Sequence, residues 1–441
     1  MTTLAPKLPY THPFAGGYPR IGGQPLPTDP DAIDYLSRVA AADGAAVEVG
    51  VAMAVDQFIK GCKADSAGYA GDPTRTVWDA LKSACIMCGA RTLSGALVSL
   101  KSYGDELMDI ATLDAATIEN AGGSSGQWDA ETKTASNTVI GTNSSYPRFQ
   151  FLTAMSGGKE YLVTGRISGD IASVYGIRAA ATGSYVTLDV ATGSFSGVIS
   201  PTGPYLQLLL NGTQTASVTI ESLSIKEYFA NPTNVANNFV SSDYSRTTGL
   251  KGDGIGKYLD SNRANDADGQ NDNHLAVYAT EKGSVGKSYI GVIPSGATNV
   301  RRIFLRSTGT MLYYANDALL AESSVWDGTA TLHGVARTGA ASGTARSSGT
   351  DYAGTAASST PPSLSQYVFA QNNNGTADGF SSGRLAFYSI GSALDLAALD
   401  NRVTQLVTGI KFHSLTGLVA TDYDPDTVAY IVAAYEAGGT L

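Results

Sequence analysis

The spacing of apolar residues changes from a helical to a strand period part-way along this chain of 441 residues. In the N-terminal part, apolar side chains recur every three or four positions, which marks one face of an α-helix. From Gln127 onward, short β-rich runs such as 148–151 and 161–164 are separated by turn signals such as Ser156-Gly157-Gly158. A chain of many short strands and frequent turns is largely restricted to antiparallel sandwiches or barrels.

Two strand-rich blocks follow one another. The first, 127–228, holds about eight strand candidates in about a hundred residues, the strand density of a β-sandwich or jelly roll. The second, 229–411, has a low-complexity stretch at 338–363 that predicts a hairpin with a long loop. Its strand candidates are 258–259, 274–279, 288–293, 300–306, 330–337, 366–370 and 384–390. We therefore predict two consecutive antiparallel β-sandwich domains.

The segments that flank these blocks have other patterns. Residues 1–30 are rich in Pro and Gly, which favours an extended arm able to lie on another subunit, or a terminus without fixed structure. Residues 31–121 are predicted to form a helical anchoring module. Residues 412–441 are predicted to form a C-terminal helical tail, with Pro425 at the first position of its helix. The helical faces of the N-terminal module are Val47, Val51, Val55, Phe58, Ile59 and Cys62, then Trp78, Leu81, Cys85 and Cys88, then Leu107, Ile110, Leu113 and Ile118.

The predicted fold class is therefore mainly β. A helical N-terminal module precedes two antiparallel β-sandwich (jelly-roll) domains, and short helices end the chain. An apolar face on residues 47–62 and a Pro/aromatic arm exceed what one small module needs for its own core. We therefore expect a homo-oligomer.

Charge and hydropathy exclude several classes of function. The formal net charge is −10, and a protein that binds duplex nucleic acid or an anionic membrane needs a basic surface. No uninterrupted apolar run approaches the length of a membrane span, so no membrane insertion is expected. The first 30 residues have no apolar core of a secretory signal, so we expect synthesis in a cytosol.

Three cysteines are too few for a disulfide framework in a protein of this size. Cys85 and Cys88 form a C-x-x-C pair, but a structural zinc site needs four ligands and the chain has no second pair. On a helix, both thiols would share the face of Trp78 and Leu81. We therefore interpret them as core residues.

One acidic loop suggests calcium as a possible cofactor, and no other cofactor is expected. Asp266, Asp268 and Asp272 place several hard oxygen ligands within a few residues, as calcium prefers. Their spacing is not that of an EF-hand. A solvated turn is the alternative.

No catalytic residues are predicted, so we expect a protein without enzymatic activity. Cleavage of a glycan needs two carboxylates at a suitable distance. Glu221 and Glu227 lie on one strand face by parity, but six residues of strand separate them by roughly 20 Å, which is too far. A polysaccharide depolymerase therefore ranks last among the functions considered.

Aromatic side chains on sandwich surfaces can stack on sugar rings. Most tyrosines and tryptophans of the two blocks are expected in cores or on strand faces. The candidates for carbohydrate binding are Trp128, Tyr146, Tyr175 and Trp326.

Several passages resemble proteins of phage particles. VTIESLSIKE (218–227) and GKEYLVTGRISG (158–169) resemble strands of carbohydrate-binding-module-like jelly rolls. The second block resembles laminin-G/concanavalin A-like sandwiches of virion proteins. The N-terminal 34–65 resembles a helical module that precedes such sandwiches in tail and fibre proteins. The passages of the second block are TGLKGDGIGKYLDSNR (248–263), NDNHLAVYATE (271–281), TLHGVART (331–338) and SGRLAFYSIGSALDLAALDNRV (382–403).

The resemblance implies a virion structural or adhesion protein, assembled in the host cytoplasm, with a sandwich that faces glycan. Residues 1–120 would contact other virion proteins, and the sandwiches would contact host surface glycan. By the same resemblance the oligomer would be a trimer. A purely structural decoration or fibre protein without a ligand is the alternative.

Overall fold

The structure is a computed structural model, and it divides the chain into two compact units. Met1–Lys101 and Pro232–Leu441 together form unit 1, and Ser102–Asn231 forms unit 2. The residues that it describes are 20–21, 24–25, 27–101, 103–111, 113, 116–120, 124–139, 147–153, 155, 160–179, 185–211, 214–228, 234–297, 299–316 and 319–436. Most of the predicted arm, 1–30, lies outside the described residues.

In the N-terminal part of unit 1, two short paired strands precede two helices, and the chain then joins a sheet. Helix α1 begins with Pro30 after Asp29, whose carboxylate accepts hydrogen bonds from the amides of Asp31 and Ala32, and Gly44 ends it with φ +67°. The elements are β1 (Arg20–Ile21), β2 (Gln24–Pro25), α1 (Pro30–Asp43), α2 (Val49–Ala64), α3 (Val77–Ala80), β3 (Leu81–Ile86) and α4 (Leu93–Ala96).

Unit 2 is a two-sheet antiparallel sandwich. Its strands are β4 (Tyr103–Asp109), β5 (Ala116–Glu119), β6 (Ser124–Asp129), β7 (Thr134–Val139), β8 (Arg148–Leu152), β9 (Glu160–Gly169), β10 (Val174–Ala179), β11 (Thr187–Leu188), β12 (Ser194–Ile199), β13 (Tyr205–Leu210) and β14 (Ala216–Tyr228). One sheet has the order β10-β13-β8-β5, and the other has β11-β12-β9-β14-β7-β6 with β4 also on β14. Apolar residues of both sheets, among them Phe149, Val163 and Leu208, form one core between them.

The rest of unit 1 contains most of its strands and the C-terminal helices. The strands are β15 (Val235–Asn237), β16 (Tyr244–Ser245), β17 (Gly249–Lys251), β18 (Tyr258–Ala264), β19 (Asn273–Glu281), β20 (Lys287–Ile293), β21 (Arg301–Leu305), β22 (Thr310–Ala315), β23 (Leu319–Val325), β24 (Thr331–Arg337), β25 (Ser342–Ser347), β26 (Thr350–Thr355), β27 (Ser365–Val368), β28 (Gln371–Asn373), β29 (Thr376–Asp378) and β30 (Arg384–Gly391). The helices are α5 (Leu396–Thr416) and α6 (Pro425–Glu436). As predicted, Pro425 is the first residue of α6, and Asp424 before it accepts a hydrogen bond from the Thr427 amide at 2.8 Å.

Unit 1 has three layers. The sheet β16-β17-β30-β19-β24-β25-β26 faces the sheet β15-β18-β27-β20-β21-β22-β23, and helices cover the other side of the first sheet. Both faces of strand β19 are apolar because both are covered. Leu275 and Val277 point between the sheets, while Ala276 and Tyr278 point to the helices. The ring of Phe58 on α2 lies edge-on to Phe387 on β30, with centroids 5.8 Å apart.

The fold class is confirmed, but part of the predicted helical module is wrong. Leu81–Ile86 is a strand that pairs with β30, and the third predicted helical face falls on β4 and β5 of unit 2. A short apolar run buried on both sides has no distinct period, so spacing alone cannot separate a strand from a helix there. The C-x-x-C pair is buried as interpreted, with Cys85 facing the inter-sheet core and Cys88 facing the helices.

The predicted boundaries also change, because residues 27–101 do not form a separate module. Their apolar residues pack on the helix-covered sheet of unit 1, so 229–411 is not a self-contained domain. Val51, Val55 and Phe58 are at most 3% exposed, which removes the free helical face on which the homo-oligomer expectation partly rested. In the part of the chain that the structure describes, no helix is long and apolar enough to span a membrane.

Candidate functional site

A row of polar side chains crosses the outer face of the four-stranded sheet of unit 2. Strand register places Arg178 beside Gln207, Gln207 beside Gln150, and Gln150 beside Thr117. Tyr185 forms an isolated β-bridge with Arg178, so it extends the row by one residue. Alternate residues of the same strands point inward to the core, so these five share the outward face. We call Tyr185, Arg178, Gln207, Gln150 and Thr117 the outer-face row; at ~4.8 Å per strand it is about 19 Å long.

Two exposed tyrosines stand at one end of this row. Tyr175 and Tyr185 are 53% and 47% exposed, and their ring centroids are 6.3 Å apart at an interplanar angle of 78°. A register shift between Val174 and Gly176 places Tyr175 at a bulge on the edge strand. A Cβ at Gly176 would lie only 2.5 Å from the Tyr185 ring. Glycine at this position therefore lets that ring lie against the strand.

Arg178 is held by neutral partners. Its Nε donates to Oε1 of Gln207 at 3.0 Å, and its Nη1 donates to the Tyr185 hydroxyl at 3.2 Å. Its Cζ lies 5.4 Å from the Tyr185 ring centroid. Gln207 is 2% exposed, so it orients Arg178 and offers little surface itself. Among the residues described, none places a carboxylate within ion-pair distance of this guanidinium.

The aromatic residues that the sequence suggested for carbohydrate binding lie in different environments. Tyr175 belongs to the exposed pair. Trp326 is 1% exposed and its indole N–H donates to the Thr329 carbonyl at 2.8 Å, so it cannot stack on a sugar. Trp128 is half-buried against Phe151 with ring centroids 4.9 Å apart. Tyr146 lies outside the described residues.

Sequence reasoning missed Arg178, Gln207 and Gln150. Each is a polar residue on a strand with apolar neighbours, which marks it as outward-facing. The sequence does not predict the strand order that brings β10, β13 and β8 together, so it could not predict that these residues lie in one row.

The structure does not bring the proposed calcium ligands together. Asp268 pairs with Arg263 at 2.5 Å and with the buried Arg301 at 3.2 Å. Burial raises the pKa of Asp268, but these two guanidiniums outweigh it and leave its pKa below the usual range. Asp272 pairs with Arg75, and Asp266 is exposed. Over the described ranges, no group of three acidic, His or Cys side chains is arranged to hold a metal ion.

An open hollow in unit 1 is a weaker candidate. It has a volume of about 540 Å³ and lies between the end of α2 and the start of α5. Its charged groups already have structural partners. Arg402 makes a bidentate pair with Asp65 at 2.7 and 2.8 Å, and Asp395 caps α5. The outer-face row remains the better candidate because its tyrosines are exposed and no described residue is an acidic partner of its guanidinium.

Comparison with known proteins adds little to this picture. Neither a protein-family model nor a curated protein sequence matches the chain. Among solved structures, the mouse laminin alpha1 chain, domains LG4-5, is similar, with 10% identity and a TM-score of 0.23 over 66% of this chain and 90% of that chain. At this TM-score the likeness carries no argument about fold or function.

Proposed function

We propose that the protein is a non-enzymatic adhesion protein whose unit 2 binds a surface glycan on the outer-face row. The observation that carries the proposal is the exposed pair Tyr175 and Tyr185 at the end of a line of hydrogen-bonding side chains. Aromatic faces stack on the apolar faces of sugar rings, while amide and guanidinium groups bond to hydroxyls. The length of the row suits an oligosaccharide better than a single sugar.

The acidity of the chain fits this mode of binding. A protein of net charge −10 gains nothing from long-range attraction to an anionic cell surface. Stacking and neutral hydrogen bonds act at short range and tolerate salt. One such site is expected to be weak, with a Kd on the order of 1 mM, and several copies acting together would raise the avidity.

The setting in a phage virion is part of the proposal and rests on the sequence resemblance alone. In that setting, residues 1–120 contact other virion proteins, the protein forms a homo-oligomer such as a trimer, and the target is host surface glycan. Since residues 27–101 bury their apolar faces within unit 1, attachment must use their polar surface or the residues before them. A fibre or decoration protein without any ligand is the competing function.

Binding of the full chain to an array of bacterial surface glycans tests the proposal. We expect Tyr185→Ala and Tyr175→Ala each to weaken binding about tenfold, since one aromatic contact contributes on the order of 1 kcal/mol or more. Ile255→Ala is the matched control, because Ile255 is an apolar side chain of unit 1 that is 80% exposed. Absence of binding to every glycan would leave the purely structural function. Equal binding by all three variants and the unmodified chain would show that the glycan does not bind on the outer-face row.

A further inference from the structure

Arg178 differs from the other arginines described in unit 2 in the partners that hold it. Arg148 pairs with Glu119 at 3.1 Å, and Arg166 pairs with Glu221 at 3.3 Å. Arg178 instead bonds to a glutamine and a tyrosine, both neutral. An arginine has five N–H donors, and these two bonds use only two of them. The rest of its donor set is available to a ligand.

None of the described residues around Arg178 compensates its positive charge. The ion pair of Arg148 and Glu119 lies one register step along the same sheet face, and its two charges cancel. The other members of the outer-face row, among them Tyr185, Gln207 and Gln150, carry no carboxylate. In a chain of net charge −10, the face with the exposed tyrosines therefore carries a local positive charge.

We propose that the outer-face row selects an acidic glycan and that Arg178 binds the carboxylate of a uronic or other acidic sugar. The proposal rests on the glycan binding proposed above. The planar guanidinium matches a carboxylate with two parallel N–H···O bonds, and such charge-assisted pairs are stronger than neutral ones. Tyr185 stacks beside the same guanidinium, so one sugar can contact the ring and the charge together.

Short-range contact must supply this preference, because the field of the whole chain opposes it. The net negative charge repels a polyanion at distances within the Debye length, about 8–10 Å near physiological salt. Removal of Arg178 is therefore expected to abolish the preference for acidic glycans, and added salt is expected to preserve it.

The experiment uses the full chain and an array of uronic- and sialic-acid glycans, each paired with its carboxyl-reduced neutral counterpart, with dextran sulfate as a carboxylate-free polyanion. We expect the acidic member of at least one pair to bind about tenfold or more tightly than the reduced one. Arg178→Gln should remove that difference, so that the acidic and the reduced member of each pair bind equally. Arg166→Gln removes an equal charge from an ion pair on another strand and should change neither value.

The outcomes separate this inference from the function on which it rests. Equal binding to both members of every pair, or an acid preference that persists in Arg178→Gln, would overturn the inference while glycan binding stands. Tighter binding to dextran sulfate than to any carboxylated glycan would also overturn it. No binding to any glycan would reject both. Thermal melts followed by circular dichroism establish that Arg178→Gln is folded, so loss of acid preference can be assigned to the missing guanidinium.

Discussion

Arg75 and Asp272 form a bidentate ion pair across 197 residues of sequence, with Nη1–Oδ1 and Nη2–Oδ2 distances of 2.7 and 2.9 Å. Oδ1 of Asp272 also accepts a hydrogen bond from the Ala393 amide at 2.7 Å, just before α5. One carboxylate therefore joins the loop before α3, the start of β19 and the approach to α5. An acidic loop that resembles a calcium site in sequence is used to fasten the N-terminal segment to the sandwich of unit 1.

Arg75→Met tests the contribution of this pair to stability. The Arg75 and Asp272 side chains are 15% and 23% exposed, so the loss leaves a largely shielded carboxylate with fewer partners. We expect a decrease of about 1.5–3 kcal/mol in the free energy of unfolding, measured by urea denaturation. Arg306→Met is the control, since its pair with Glu322 is 49% and 34% exposed and such pairs contribute less than about 1 kcal/mol. Equal losses in the two variants would show that the pair does not fasten the segment.

Calcium is expected to leave the melting temperature of the protein unchanged. Binding would have to displace Arg263 and Arg301 from Asp268 and Arg75 from Asp272, and would leave the buried Arg301 guanidinium without its counter-ion. Differential scanning calorimetry in excess calcium and in EGTA measures the effect directly. A rise in melting temperature with calcium that EGTA reverses and Asp268→Asn abolishes would restore the metal site.

The sequence and the structure agree where one face of an element is buried and the other is exposed. The strands around Tyr161, Leu208 and Val218 and the α6 helix after Asp424 were predictable, because their period or their cap is local information. Leu81–Ile86 was not, because both of its faces are covered and its partner β30 lies about three hundred residues later. The exposed tyrosine Tyr175 was among the predicted ligands, but its neighbours on the sheet depend on strand order.

His274 is expected to make the protein less stable as the pH falls below about 6.5. Its ring is fully buried and hydrogen-bonds to the Ser392 carbonyl at 2.6 Å and the Ser389 hydroxyl at 3.0 Å. Burial is the main cause that lowers its pKa from 6.5 to about 4. Between these values the unfolded chain binds the extra proton and the folded chain does not, so stability is lost as pH falls through this window and the loss is complete below pH 4.

The measurement compares unfolding free energies at pH 7 and pH 5. From the two pKa values, His274 accounts for a loss of about 2 kcal/mol between these pH values. His274→Asn keeps a donor near the position of Nδ1 but does not titrate. The unfolding free energy of His274→Asn should therefore fall less between pH 7 and pH 5 than that of the unmodified protein, by about 2 kcal/mol. An identical pH dependence in both proteins would contradict a low pKa for His274.

Unit 1 is expected to fold when unit 2 is replaced by a short linker. Unit 2 is inserted in the sequence of unit 1, and Nδ2 of Asn234 donates to the Leu97 carbonyl at 3.2 Å, so the chain leaves and re-enters unit 1 at neighbouring points. A six-residue Gly/Ser linker between residues 101 and 232 has a typical end-to-end distance of about 13 Å, which suits a chain that leaves and re-enters unit 1 at neighbouring points. We expect the joined protein to unfold in one cooperative transition.

A fragment of residues 232–441 is the informative comparison, because it lacks β3 and helices α1 and α2. It would expose Tyr278, Phe387 and their apolar neighbours on the sheet, and it would leave the edge of β30 without its partner β3. We expect this fragment to be insoluble or to lack a cooperative melt, while residues 102–231 alone retain a two-state transition because their core is their own. Thermal denaturation followed by near-ultraviolet circular dichroism measures all three proteins. A cooperative melt of 232–441 equal to that of the linker-joined protein would show that residues 1–101 are a separate module after all.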